Sequence, residues 1–174
     1  MEILLREDFW FAVIRSTTPI LLTTLGAMIS ARAGARNIAL EGTILTASFF
    51  GVVGSHFTQN AYLGLLIAVL SGIIISNIIA YFALNLKSNI IISGIALNLV
   101  ASGMTVFGLY ILTGDKGAST SLNSLTLPSI DIPIIENIPI IGKILSGHHI
   151  LTYVSLLMVF LVFVMFKYTK LGLR

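Results

Sequence analysis

Five apolar stretches follow one another along this chain, with short polar links between the first four and a long connection before the last. They run from about Phe9 to Ile29, Ile38 to Phe57, Tyr62 to Leu84, Ile90 to Leu112 and Ile150 to Phe166. A helix of about 20 residues covers the roughly 30 Å hydrocarbon core of a bilayer. In lipid every backbone N–H and C=O must be satisfied inside the protein, and a helix does this within one segment. The sequence therefore predicts an all-α fold, a polytopic membrane helix bundle of about five transmembrane helices. Only 10% of the residues are charged, against about 25% in a soluble domain.

The polar run Ser30 to Gly42, SARAGARNIALEG, lies between the first two segments. Gly34 and Gly42 bracket it, and it carries Arg32, Arg36, Asn37 and Glu41. A charge at mid-bilayer costs roughly 2.5–3.5 kcal/mol on insertion scales, so a carboxylate just inside an apolar segment needs a reason. Either Glu41 pairs with Arg36 or Arg32 and fixes this loop, or it meets a solute. In the first segment Arg15 can snorkel or face protein, and Pro19 removes a backbone donor, so a kink is expected there. Ser16, Thr17, Thr18, Thr23 and Thr24 either bond back to their own helix or line a polar path.

In the third segment Gly64, Ala68, Gly72, Ser76 and Ala80 recur at every fourth residue. This stripe of small side chains lets a neighbouring helix come close. In the fourth, Gly94, Asn98, Ala101, Thr105 and Gly108 recur in steps of four and three and form one small, mildly polar face. Asn98 is its best candidate for a polar contact. The connection 114–149 carries Pro128, Pro133 and Pro139. These exclude a spanning helix, so an extracytoplasmic loop is expected there.

Orientation follows from the basic residues. With the C-terminus in the cytoplasm, the inner side receives Arg32, Arg36, Lys87, Lys167, Lys170 and Arg174, and the outer side receives Arg6, Lys116 and Lys143 with most of the acids. The N-terminus is then outside. Glu2, Glu7 and Asp8 stand where a secretory signal would be basic. The net charge of +3 marks loops and not a nucleic-acid surface, because no interleaving of aromatic and basic residues accompanies it. With no cysteine there is no disulfide, thiolate metal site or Cys nucleophile. His56, His148 and His149 show neither HxxxH nor HExxH spacing, so neither a metal nor another cofactor is expected. An intramembrane enzyme would need a nucleophile and base, or metal ligands, at membrane depth, and Glu41 stands alone there.

RAGARNIALEG resembles the signature of permease subunits of bacterial ABC importers in the ribose, branched-chain amino acid and nucleoside group, whose pattern is close to ERAGxxNIGLEG. Ala31 stands in place of the acidic residue and Ala39 in place of a glycine. Thr18 to Leu22 with Leu25 and Gly26 echo ATPILLxALG of the nucleoside-type branch. Ile91 to Leu99 is similar to its IxSGxALNL motif, and Ile138 to Gly142 to its outer-loop IPxxG.

The resemblance implies residues 1–174 are a transmembrane permease domain in the bacterial plasma membrane, with no hydrolytic site of its own. It implies a cytoplasmic ATP-binding subunit, a second permease subunit (a hetero- or homodimer) and an extracytoplasmic solute-binding protein as partners. The solute expected is a nucleoside; the alternatives are a sugar or a branched-chain amino acid, or a non-transporting scaffold or truncated fragment. Asn37, Glu41, Asn98 and Thr105 are the expected solute-path residues. The family continues after a TxxGLxLRAVG-like stretch into a coupling helix, and this chain ends within that stretch at Thr169 to Arg174. An incomplete, N-terminal portion of the permease domain is therefore expected.

Overall fold

The computed structural model describes residues 7–115, 118–119, 121–130 and 146–169. Arg6, Lys116, Lys143, Lys170 and Arg174, used above for orientation, lie outside the described residues, as do Pro133, Pro139 and the 138–142 motif. Five helices form: α1 (Glu7–Arg32), α2 (Leu40–Thr58), α3 (Ala61–Leu84), α4 (Ile90–Thr113) and α5 (Ile150–Tyr168). Two-residue strands β1 (Ser129–Ile130) and β2 (His148–His149) pair antiparallel, Ser129 opposite His149. The chain divides into two compact units, one holding α1, β1, β2 and α5, the other α2, α3 and α4.

Polar side chains at the ends set the limits of the helices. Asn60 Oδ1 accepts from the Tyr62 N–H at 2.9 Å and starts α3; Asn89 does the same for Ile91 and starts α4. Each satisfies one of the N–H groups a helix leaves unpaired at its first turn. Gly114 ends α4 in the left-handed region at φ 79°, where a Cβ would be strained.

Four helices, α1, α3, α4 and α5, are long and apolar enough to cross a membrane; α2 is not. The sequence treated α2 as an equal fifth span. The structure shows why it departs: α2 packs on both α3 and α4, and Gly42, Thr46, Gly54 and Ser55 are buried there. A helix covered by its neighbours needs small, close-packing side chains more than bulky apolar ones.

In the other unit, α1 packs on α5. The helix runs through Pro19 and ends at Arg32, about one turn beyond the expected end. Its threonines bond back to their own carbonyls: Thr17 to Val13 at 2.7 Å, Thr18 to Ile14 at 3.1 Å, Thr23 to Pro19 at 2.8 Å and Thr24 to Leu21 at 2.9 Å. The Thr18 hydroxyl also lies 3.1 Å from the Thr152 hydroxyl of α5, in a buried hydrogen bond.

Candidate functional site: the α2 entry on α4

The segment between Arg32 and Leu40 is irregular, with Gly34 at φ 83°. Ala39 is the N-cap of α2 and has no side chain able to cap it. Two asparagines supply what Ala39 lacks. Asn37 Oδ1 accepts the Ala39 N–H at 2.9 Å. Asn98, 56 residues away on α4, accepts the Gly42 N–H through Oδ1 at 2.8 Å. Its Nδ2 donates to the Ile38 carbonyl at 2.9 Å. Only one orientation of the amide satisfies both bonds, so the network fixes which way Asn98 points.

Glycines make this approach possible. A Cβ on Gly42 would lie 2.9 Å from Asn98 Oδ1 and 3.1 Å from the Ala101 Cβ. A Cβ on Gly94 would lie 3.2 Å from both the Ala39 nitrogen and the Ile38 Cβ. Farther along, Phe49 rests on Gly108, where an added Cβ would meet its ring at 2.6 Å. The face Gly94–Asn98–Ala101–Thr105–Gly108 therefore turns towards α2. Thr105 is buried and donates to the Ser102 carbonyl at 3.1 Å. Thr46, 1% exposed, donates to the Gly42 carbonyl at 2.7 Å.

The other expected site residues fall as follows. Glu41 is exposed in the first turn of α2, where a carboxylate favours the positive end of the helix dipole. Arg36 is also exposed, and among the described residues no ion pair joins it to Glu41. The expected pair is corrected on this point: α2 starts at Leu40, so Arg36 stands outside the helix and is not held one turn from the carboxylate. Between exposed charges such a pair contributes only about 0–1 kcal/mol. Arg32 lies at the end of α1, its guanidinium 5.4 Å above the centre of the Phe166 ring, a cation–π contact.

On α3, Gly64 meets Gly51 and Ser55 of α2, Ala68 lies at the Gly51 position, and Gly72 faces Thr43. Ser76 is exposed and Ala80 half-buried. The stripe thus meets α2 along its first half. Ser55, which sequence reasoning passed over, is buried and takes the Leu125 N–H at 3.0 Å, pinning the chain beyond α4 back onto α2. Its only sequence signal is its place one turn from Gly51.

Asn98 keeps one lone pair and one N–H beyond those used here, and it is half-buried. Hydrogen bonding to a polar group is the chemistry this arrangement offers. Among the described residues no group of three or more His, Asp or Glu side chains is placed to hold a metal.

A family profile described as branched-chain amino acid transport system / permease component matches residues 9–174. The chain is 30% identical over 168 residues to a protein of Haloferax volcanii provisionally named a glucose ABC transporter permease, covering 94% of this chain and 49% of the relative. It is 31% identical over 166 residues to a nucleoside ABC transporter permease protein of Lactococcus lactis, covering 91% and 51%. It is 32% identical over 173 residues to a guanosine ABC transporter permease protein of Bacillus subtilis, covering 94% and 53%. The chain spans about half the length of these curated relatives. No solved structure matches.

Proposed function

The chain belongs to the branched-chain amino acid transport system / permease component family, and on that premise we propose that it forms part of the membrane permease of an ATP-driven importer for nucleosides. The observation that carries this reading is the junction at Asn98. Residues 37–42, part of the stretch that resembles the whole permease group, and residues 91–99, which resemble its nucleoside-type branch, meet there through two hydrogen bonds. Two relatives are named for a nucleoside and for guanosine, which supports the solute class. A nucleoside offers ribose hydroxyls and base-edge donors and acceptors, groups an amide such as Asn98 can meet. Asn37 and Thr105 act in this reading as supports of the junction, and Glu41 is the exposed carboxylate beside it. A sugar is the second reading, favoured by the relative named for glucose.

ATP hydrolysis belongs in this proposal to a cytoplasmic partner subunit. A second permease subunit completes the membrane pair, and an extracytoplasmic binding protein delivers the solute. The N-terminus faces outside and the C-terminus the cytoplasm. The test is uptake of radiolabelled nucleosides, with sugars and branched-chain amino acids as controls. The host lacks its own uptake systems and expresses the neighbouring genes with this chain, once as it stands and once extended through any downstream reading frame, and uptake is read from whichever form is active. Uptake of nucleosides alone is the expected result. Uptake of sugars alone would replace this reading with the second. No uptake, with membrane insertion and ATPase assembly verified, would overturn both.

A further inference from the structure

Ser55 behaves unlike its neighbours on α2. Thr43, Thr46 and Thr58 each donate to the carbonyl four residues back, at 2.8, 2.7 and 2.6 Å, the local bond a hydroxyl finds inside a helix. Ser55, 4% exposed, turns instead to Leu125, 70 residues away. Its oxygen accepts the Leu125 N–H at 3.0 Å, and its proton goes to the Leu125 carbonyl at 3.3 Å. The second bond is long, since O–H···O distances mostly fall between about 2.5 and 3.0 Å. The Gly51 carbonyl stands four residues back from Ser55, where the threonines find their acceptors. Gly64 of α3 faces this point without a Cβ, so the hydroxyl has room to turn to it.

The segment held by Ser55 has little else to hold it. Among the described residues, no other hydrogen bond ties 121–126 to a helix. The remaining bonds are local: the Leu122 N–H to the Ser119 carbonyl at 3.0 Å, and the Ser124 N–H to the Leu122 carbonyl at 2.8 Å. Within 121–126 only Leu122 is half-buried; the others are exposed, Leu125 by 50%. Few buried contacts and an exposed backbone mark a segment that opens locally at low cost.

We propose that residues 121–126 form a releasable strap over the end of α2, latched by Ser55, which opens when the Ser55 hydroxyl turns from Leu125 to the Gly51 carbonyl. Opening exchanges two hydrogen bonds to the strap for one within α2. The net loss is one bond, so the closed form is favoured about fivefold. That this end of α2 is the outer one, and that the strap acts there as a lid on the solute path, rests on the import reading above.

The latch is tested by amide hydrogen exchange of the full chain in lipid nanodiscs, resolved at Leu125. After correction for intrinsic rates, Leu125 should exchange about fivefold more slowly than Asn123 and Thr126. Ser55→Ala should remove this protection and leave the amides of α2 and α3 unchanged. An unprotected Leu125 in the unaltered chain would overturn the latch. So would protection equal to that of the helices, or protection that survives Ser55→Ala. The lid role is tested in the uptake assay. The chain has no cysteine, so Ser55→Cys gives a single thiol for a bulky, membrane-impermeant maleimide added outside. Uptake should be kept before labelling and fall in step with it, because the adduct keeps the strap from closing. No labelling, or uptake that survives complete labelling, would overturn the lid and leave nucleoside import standing. Absence of uptake before labelling, in the unaltered chain as well, would count against import and leave the latch to be decided by the exchange rates.

Discussion

In the α2–α4 unit, Gly64 brings α3 so close to α2 that an added Cβ would stand 2.6 Å from the Ser55 Cβ and 2.9 Å from the Gly51 carbonyl. In the α1–α5 unit, Gly26 of α1 has nothing within 4 Å of the same point. There the helices meet through the Thr18–Thr152 hydrogen bond, beside a cavity of about 150 Å³ lined by Thr17, Thr18, Thr152 and Ser155. Lipid tails are as apolar as leucine, so burying apolar surface does not by itself bring membrane helices together; close packing and polar contacts do. The first unit has both in quantity. The second shows, among the described residues, a buried hydroxyl pair with a gap beside it and the Arg32–Phe166 cation–π contact. The same residue type, glycine, is thus a packing requirement in one helix and a dispensable gap in the other.

The largest expected effect breaks or confirms this contrast. Gly64→Ala should destabilise the chain by about 3 kcal/mol, the upper part of the overpacking range, because one of the groups it meets is backbone and cannot turn away. Gly26→Ala should have the opposite sign and stabilise α1 by about 0.5–1 kcal/mol, as alanine does in a helix interior. Reversible unfolding in mixed micelles, followed by circular dichroism, reads both. Equal effects at the two glycines would remove the distinction between the units.

The next effect tests the polar part. Asn98→Leu leaves the Gly42 N–H and the Ile38 carbonyl without their partner. A loss of about 1–2 kcal/mol is expected, between the average for membrane hydrogen bonds and the cost of an unsatisfied buried group. Thr18→Val removes the buried Thr18–Thr152 hydrogen bond between α1 and α5 and should cost about 0.6 kcal/mol. If Thr18→Val proved the costlier of the two, the ranking of the units would be reversed.

How much of this was open to sequence reading depends on range. Apolar runs and small-residue spacing are local, so the spans and the Gly94–Gly108 face could be read directly. The inequality of α2 could be read only in part: it is as long as α5 but less apolar, with Glu41, His56 and several Ser, Thr and Gly residues, and only its packing on α3 and α4 shows what covers it. The Asn98 contacts reach back 56 and 60 residues, and no periodicity encodes such a bond. Asn98 could be singled out as a polar residue on a small face. Its role as the cap that Ala39 cannot provide needed the fold. The expected Glu41–Arg36 pair failed for a local reason, the start of α2 at Leu40, and helix starts are poorly specified where the N-cap is an alanine.

That failure gives the smallest and most discriminating prediction. Glu41 and Arg36 lie five residues apart with opposite charges, and a sequence argument pairs them. The structure leaves both exposed, with no ion pair between them. Glu41→Gln should then cost only the interaction with the α2 dipole, about 0.3 kcal/mol at an exposed first-turn position. Arg36→Gln should cost less. In a double-mutant cycle the two should add to within about 0.3–0.5 kcal/mol, the behaviour of uncoupled sites. A larger coupling would mean that the pair forms in the bilayer and that the α2 entry is held by charge as well as by Asn98. Additivity together with a loss of uptake in Glu41→Gln would point elsewhere. A carboxylate that contributes nothing measurable to holding the fold, yet is needed for transport, acts on the solute or on a partner subunit.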